Sequence, residues 1–134
     1  MAEEGSWIAI VDDDRSVLRA LTRLLRSRAF HVRTYESAQQ FLAVLPDGLP
    51  ECLIVDQQMP EMTGLELFQS LTRRGLEIPT IIITAYADNG LRQRCESAGA
   101  IAFLSKPLQD TSLFAAIGEA HRRGGKRGQE PSQG

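Results

Sequence analysis

Short apolar runs alternate along this chain with longer stretches in which apolar residues return every three or four positions, and the alternation occurs about five times. That pattern predicts strands joined by helices around a mostly parallel sheet, an α/β architecture. Strands are expected at 7–11, 31–35, 52–55, 80–84 and 101–104. The first, third and fourth are nearly continuous apolar runs, which suit central strands covered on both faces. The second alternates instead, with Val32 and Thr34 on one face and His31, Arg33 and Tyr35 on the other, as an edge strand does.

Between the strands, Val17, Leu18, Leu21, Leu24 and Leu25 recur at helical spacing with Arg15, Arg19, Arg23 and Arg26 interleaved, predicting a helix over 15–28. Ala38, Phe41, Leu42 and Leu45 predict a second, with Ser37 as its N-cap. Leu65, Leu67, Phe68 and Leu71 predict a third, ended by Gly75 and Pro79. A weaker helix is expected over 88–97 and a stronger one over 111–121, capped by Asp110 or Thr111. There is no internal repeat.

Composition narrows the class. The 134 residues, 43% hydrophobic and 24% charged, fit a single compact domain that buries roughly two-thirds of its unfolded surface. A formal net charge of -2 provides no strongly basic face for nucleic acid. The tail, 122–134, holds four basic residues, one acid and several Gly, Pro, Ser and Gln, and reads as a linker or disordered end, with 7–121 as the domain and 1–6 as an N-terminal extension. The longest apolar stretch runs over 98–104, whereas a membrane helix needs about 20 residues, so no membrane association is expected. The acidic N-terminus has no secretory pattern, and Cys52 and Cys95 form no C-x-x-C pair; both read as small structural thiols in a cytoplasmic protein.

In such a sheet, ligands bind beyond the carboxyl ends of the strands. There the sequence puts Asp12-Asp13-Asp14, Asp56-Gln57-Gln58, Thr84-Ala85 and Ser105-Lys106-Pro107. Asp14 reads as the N-cap of the first helix. Asp12, Asp13 and Asp56 would converge, and clustered carboxylates repel unless a cation is present. Magnesium fits better than calcium, because it takes one or two protein carboxylates and completes its shell with waters and a phosphate oxygen. Thr84 and Lys106 offer a hydroxyl and an ammonium to phosphoryl oxygens. A cis peptide before Pro107 would aim Lys106 inward. The phosphate-loop patterns G-x-x-x-x-G-K-[ST] and G-x-G-x-x-G are absent, which removes ordinary nucleotide binding of that kind.

The series Ile10-Val11-Asp12-Asp13, Val55-Asp56 with Met59-Pro60 and Gly64, Ile81-Ile82-Ile83-Thr84-Ala85, Ala98-Gly99-Ala100 and Lys106-Pro107 resembles the receiver domain of two-component response regulators. Tyr35-Glu36-Ser37-Ala38, Gln40-Phe41-Leu42 and Ala102-Phe103-Leu104 are most similar to its FixJ-like branch. The resemblance implies a flavodoxin-like, CheY-like doubly wound sheet of five parallel strands in one domain. It implies that Asp56 is the phosphoacceptor for a sensor histidine kinase. Asp12, Asp13 and Asp56, with the backbone carbonyl of Gln58, would hold magnesium, Thr84 and Lys106 would bind the phosphoryl oxygens, and Phe103 would be the aromatic switch residue. Gln58 and Tyr86 occupy positions that tune dephosphorylation in this family. The implied output is transcriptional, through a DNA-binding domain absent from these residues, or a phosphorylation-dependent homodimer. Such a protein is a phosphoacceptor rather than a turnover enzyme. Alternatives remain a stand-alone receiver or phosphorelay adaptor, and a haloacid-dehalogenase-like phosphatase using Asp12 and Asp14.

Overall fold

The computed structural model describes residues 6–45 and 48–133, with side chains through Arg123. Five strands and five helices alternate: β1 (Ile8–Val11), α1 (Arg15–Arg26), β2 (Val32–Tyr35), α2 (Ala38–Val44), β3 (Cys52–Asp56), α3 (Gly64–Arg73), β4 (Thr80–Thr84), α4 (Asn89–Ala98), β5 (Ala102–Ser105) and α5 (Asp110–Gln133). The sheet is parallel throughout, in the order β2-β1-β3-β4-β5. This is the doubly wound flavodoxin-like arrangement, whose order reverses between β1 and β3 and leaves a crevice at their carboxyl ends.

Each face of the sheet carries its own core. Ala9, Val11, Leu53, Val55, Ile82 and Phe103 pack with Phe41 of α2, Leu67 and Leu71 of α3 and Leu91 and Cys95 of α4. Ile8, Ile10, Cys52, Ile54, Ile81 and Ile83 pack with Leu18, Leu21 and Leu25 of α1 and Leu113 and Ile117 of α5. Every residue of β1, β3 and β4 is buried, which is why these strands are apolar almost without interruption. β2 lies at the edge, as its alternation predicts, with Val32 buried and Arg33 and Thr34 exposed.

Local chemistry sets the helix starts. Asp14 caps α1 by accepting from the Ser16 amide, Ser37 caps α2 from Gln40, and Asp88 caps α4 from Leu91. Thr63 and Glu66 form a reciprocal capping box on α3. Gly99 ends α4 at φ 103, a left-handed conformation that favours glycine.

Apart from the end of α5, boundaries differ from the sequence expectation by a residue or two. Trp7 precedes the β1 ladder yet stays buried, with the Arg33 guanidinium 4.4 Å from its ring centroid. β3 gains Asp56, paired with Ile83, and β5 shifts by one residue to include Ser105 opposite Thr84. α1 ends at Arg26 because the chain turns there, the Phe30 amide donating to the Leu25 carbonyl and Ala29 adopting φ 69. α5 runs on through Gln133, past the expected end at 121, and Glu119 pairs with Arg122 and Arg123 one turn ahead of it. The segment read as a linker or disordered tail therefore begins inside α5. Residues 1–5 and 134, and the side chains of 124–133, lie outside the description. Among the described residues, no helix is long and apolar enough to cross a membrane.

Candidate functional site: an acidic cluster with one lysine

The β1–β3 crevice gathers the charged residues expected of it. Asp12 follows β1, is fully buried, and accepts from the Asp14 amide at 2.9 Å, which closes the turn into α1. Asp56 ends β3 at 3% exposure, fixed by the ladder and by the Gln57 amide donating to the Ile83 carbonyl. Asp13 is exposed at the rim. One oxygen from each of Asp12, Asp13 and Asp56 lies within 4.8 Å of the others.

Lys106 enters from the loop after β5, where its peptide bond to Pro107 is cis, as the sequence reading proposed. Its ammonium lies 3.2 Å from Asp12 Oδ2, in a hydrogen bond, and 3.2 Å from Asp56 Oδ1, as an ion pair. The second contact is poorly aligned. Asp56 Oδ1 is buried and accepts no hydrogen bond.

The electrostatics follow from three clustered carboxylates and one ammonium, which pairs with Asp12 and Asp56. Burial pushes the Asp12 carboxyl above its ordinary range, against the pull of the Asp14 amide and Lys106. Asp56 is raised first by burial and then by the charge of Asp12, and Lys106 offsets only part of this. Burial also works against the charge of Lys106, but attraction to Asp12 and Asp56 outweighs it and holds the ammonium above its ordinary value. Excess negative charge, an all-oxygen donor set and an unsatisfied buried carboxylate oxygen together fit a hard divalent cation. Asp12, Asp13 and Asp56 are the residues that could hold it.

Thr84 stands on the other face of the sheet. Side chains alternate along a strand, so Asp56 continues the face of Cys52 and Ile54, while Thr84 continues that of Ile82 and Phe103. Thr84 is fully buried; its hydroxyl donates to Gln58 Oε1 at 2.7 Å and accepts from the Tyr86 amide at 3.0 Å. Phe103, beside Ile82 in register, is 4% exposed, with the Arg92 guanidinium of α4 4.9 Å from its ring centroid. Tyr86 is 74% exposed.

The structure thus brings Asp12, Asp13, Asp56 and Lys106 to one point and ties Thr84 to Gln58. Asp14 does not join them. Its Oδ1 takes both the amide and the hydroxyl of Ser16, so it serves as the cap of α1 and lies outside the cluster. The sequence assigns Gln58 a backbone carbonyl for the metal and a position that tunes dephosphorylation, but not the side-chain bond to Thr84, which spans 26 positions of sequence. The sequence pattern likewise leaves Gly64 without a role. A Cβ at Gly64 would lie 2.7 Å from the Asp56 carbonyl oxygen, so only glycine lets α3 start this close to the end of β3.

Comparison with known proteins agrees with this geometry. Residues 8–118 match the model of a family described as Response regulator receiver domain. The chain is 40% identical over 117 residues to the response regulator protein TmoT of Ectopseudomonas mendocina, covering 87% of this chain and 53% of TmoT. It is 37% identical over 113 residues to the transcriptional regulatory protein FixJ of Rhizobium meliloti, covering 84% and 55%. The chain spans about half the length of the curated relatives it matches. Among solved structures, FixJ-N superposes with a TM-score of 0.81 at 35% identity, covering 90% of this chain and 96% of that one. A receiver protein from Burkholderia phymatum superposes at 0.76 and 40% identity, covering 87% and 94%.

Proposed function

Because this chain belongs to the response regulator receiver domain family, we propose that Asp56 accepts a phosphoryl group from the phosphohistidine of a sensor histidine kinase. One observation carries the assignment to Asp56. It is a buried strand-end carboxylate with an oxygen that accepts no hydrogen bond, and it lies against a lysine and two further aspartates. An Asp56 oxygen forms the new bond to phosphorus while the phosphorus–nitrogen bond to histidine breaks. The electron pair stays on the imidazole, which takes a proton from solvent.

Asp12, Asp13, Asp56 and the Gln58 backbone carbonyl would hold magnesium, which supplies neutralisation of the charge that develops on the transferred oxygens. Lys106 adds a second positive charge, already held against Asp56 in its protonated form. Thr84 supplies a hydroxyl to a phosphoryl oxygen once it turns from Gln58. Phe103, already buried on the same face of the sheet as Thr84, is the aromatic switch residue of this reading. Asp56 is modified rather than regenerated within each transfer, so the domain, residues 7–121, acts as a switch and not as a turnover enzyme. FixJ is named a transcriptional regulatory protein, and the matched residues span only about half of it and of TmoT, which supports a cytoplasmic regulator whose receiver governs DNA binding through an output domain or through phosphorylation-dependent pairing with a second copy.

Acetyl phosphate with magnesium, followed by intact-mass measurement, tests the reading. One phosphoryl group should appear on the wild type and none on Asp56→Asn. Phosphate on Asp12 in that variant would overturn it.

A further inference from the structure

The bond between Thr84 and Gln58 has a mechanistic consequence. A threonine hydroxyl has one proton to donate. Here it goes to Gln58 Oε1 at 2.7 Å, while the oxygen accepts from the Tyr86 amide at 3.0 Å. Because Thr84 is fully buried, its proton cannot be left without an acceptor at no cost. Gln58 is exposed, so its amide can return to water when released. Resting on the phosphoacceptor reading of Asp56, the geometry points to the Gln58 side chain as a positioning residue: it competes with the phosphoryl group on Asp56 for the Thr84 hydroxyl, and thereby sets how strongly phosphorylation is stabilised.

The two acceptors exclude each other, since one proton serves one strong bond. A charged phosphoryl oxygen is the stronger acceptor and wins, but the exchange yields only the difference between a charge-assisted bond and the bond to Gln58. Gln58 sits two residues beyond Asp56, on the loop that leaves β3, so acceptor and competitor are carried by one segment. The burial of Phe103 does not wait on this exchange. Phe103 is 4% exposed while Thr84 is bonded to Gln58, so the hydroxyl is the element that remains to be moved.

The test uses beryllofluoride, which mimics the phosphoryl group on Asp56, and the variant Gln58→Met, which keeps the length of the side chain and removes its acceptor. Relative to wild type, Gln58→Met should bind beryllofluoride with magnesium about threefold to tenfold more tightly, the worth of one ordinary hydrogen bond. In a Thr84→Ala background the same substitution should change affinity less than twofold. The Tyr86 amide resonance, which reports on the Thr84 oxygen, should move in ligand-free Gln58→Met. Equal affinity for Gln58→Met and wild type, or a gain that persists without the Thr84 hydroxyl, would overturn the competition. Failure of the underlying reading looks different, because wild type itself would then take no phosphate on Asp56.

Discussion

Gly64 and Asp56 are in backbone contact: a Cβ built on Gly64 comes within 2.7 Å of the Asp56 carbonyl oxygen and 3.1 Å of its carbonyl carbon. The first turn of α3 is thereby seated directly against the residue that ends β3. Gly64→Ala must push the two apart, since neither neighbour is a flexible side chain. We expect a loss of about 2 kcal/mol in stability, as for other overpacked sites, together with slower phosphate uptake from acetyl phosphate. Chemical denaturation and a mass time course measure both, and a variant indistinguishable from wild type in each would remove the steric role.

Asp56→Asn should stabilise the fold while abolishing phosphorylation. Burial and the neighbouring Asp12 raise the Asp56 carboxyl above its ordinary range even with Lys106 beside it, so ionising it is harder in the folded chain than in the unfolded one. A group whose folded pKa lies above its unfolded value costs stability when ionised, and that cost disappears as pH falls through the folded pKa. The gain at neutral pH should therefore shrink as the buffer approaches about pH 4, the ordinary carboxyl value. Thermal melts of both proteins across that range provide the comparison; a gain that grew on acidification would contradict the sign.

Magnesium should raise the melting temperature of the wild type. At ten times the dissociation constant, a ligand that binds only the folded chain contributes about 1.4 kcal/mol. Asp13→Ala removes one of the three clustered carboxylates without disturbing a buried one. Its melting temperature should no longer respond to the same magnesium concentration, and an undiminished response would strike Asp13 from the ligand set.

Asp14→Ala separates capping from chemistry. The variant loses the acceptor for the Ser16 amide and hydroxyl, so α1 should unfold at a lower temperature. Phosphate uptake by Asp56, followed by mass, should stay within about twofold of wild type, since a lost cap acts on the folding equilibrium of α1 rather than on the acceptor. A collapse in uptake with the fold intact by circular dichroism would give Asp14 a direct part in the reaction.

Much of this was legible in the chain because burial on both faces forces a residue-type pattern. Runs such as Thr80-Ile81-Ile82-Ile83-Thr84 have few other uses than a central parallel strand, and the alternation of 31–35 marks an edge. The acidic cluster was legible for a related reason: once β1 and β3 are parallel neighbours, the residues at their carboxyl ends must meet. What escaped notice depends on loop path or on close approach. No local pattern tells that the Gln58 side chain turns back to Thr84, or that Arg92 lies over Phe103. The steric demand on Gly64 exists only after α3 is docked on β3, and the extension of α5 beyond 121 runs against a composition rich in Gly, Ser and Gln.

The alternation of side chains along β3 and β4 has a spatial outcome. Asp56 belongs to the layer shared with α1 and α5, whereas Thr84 and Phe103 belong to the layer shared with α2, α3 and α4. The sheet is a partition one residue thick, and the Thr84 hydroxyl sits at its rim as the doorway between the two compartments. With Asp56 as the phosphoacceptor proposed above, the group it takes up and the Phe103 ring would therefore stand on separate sides of one small protein.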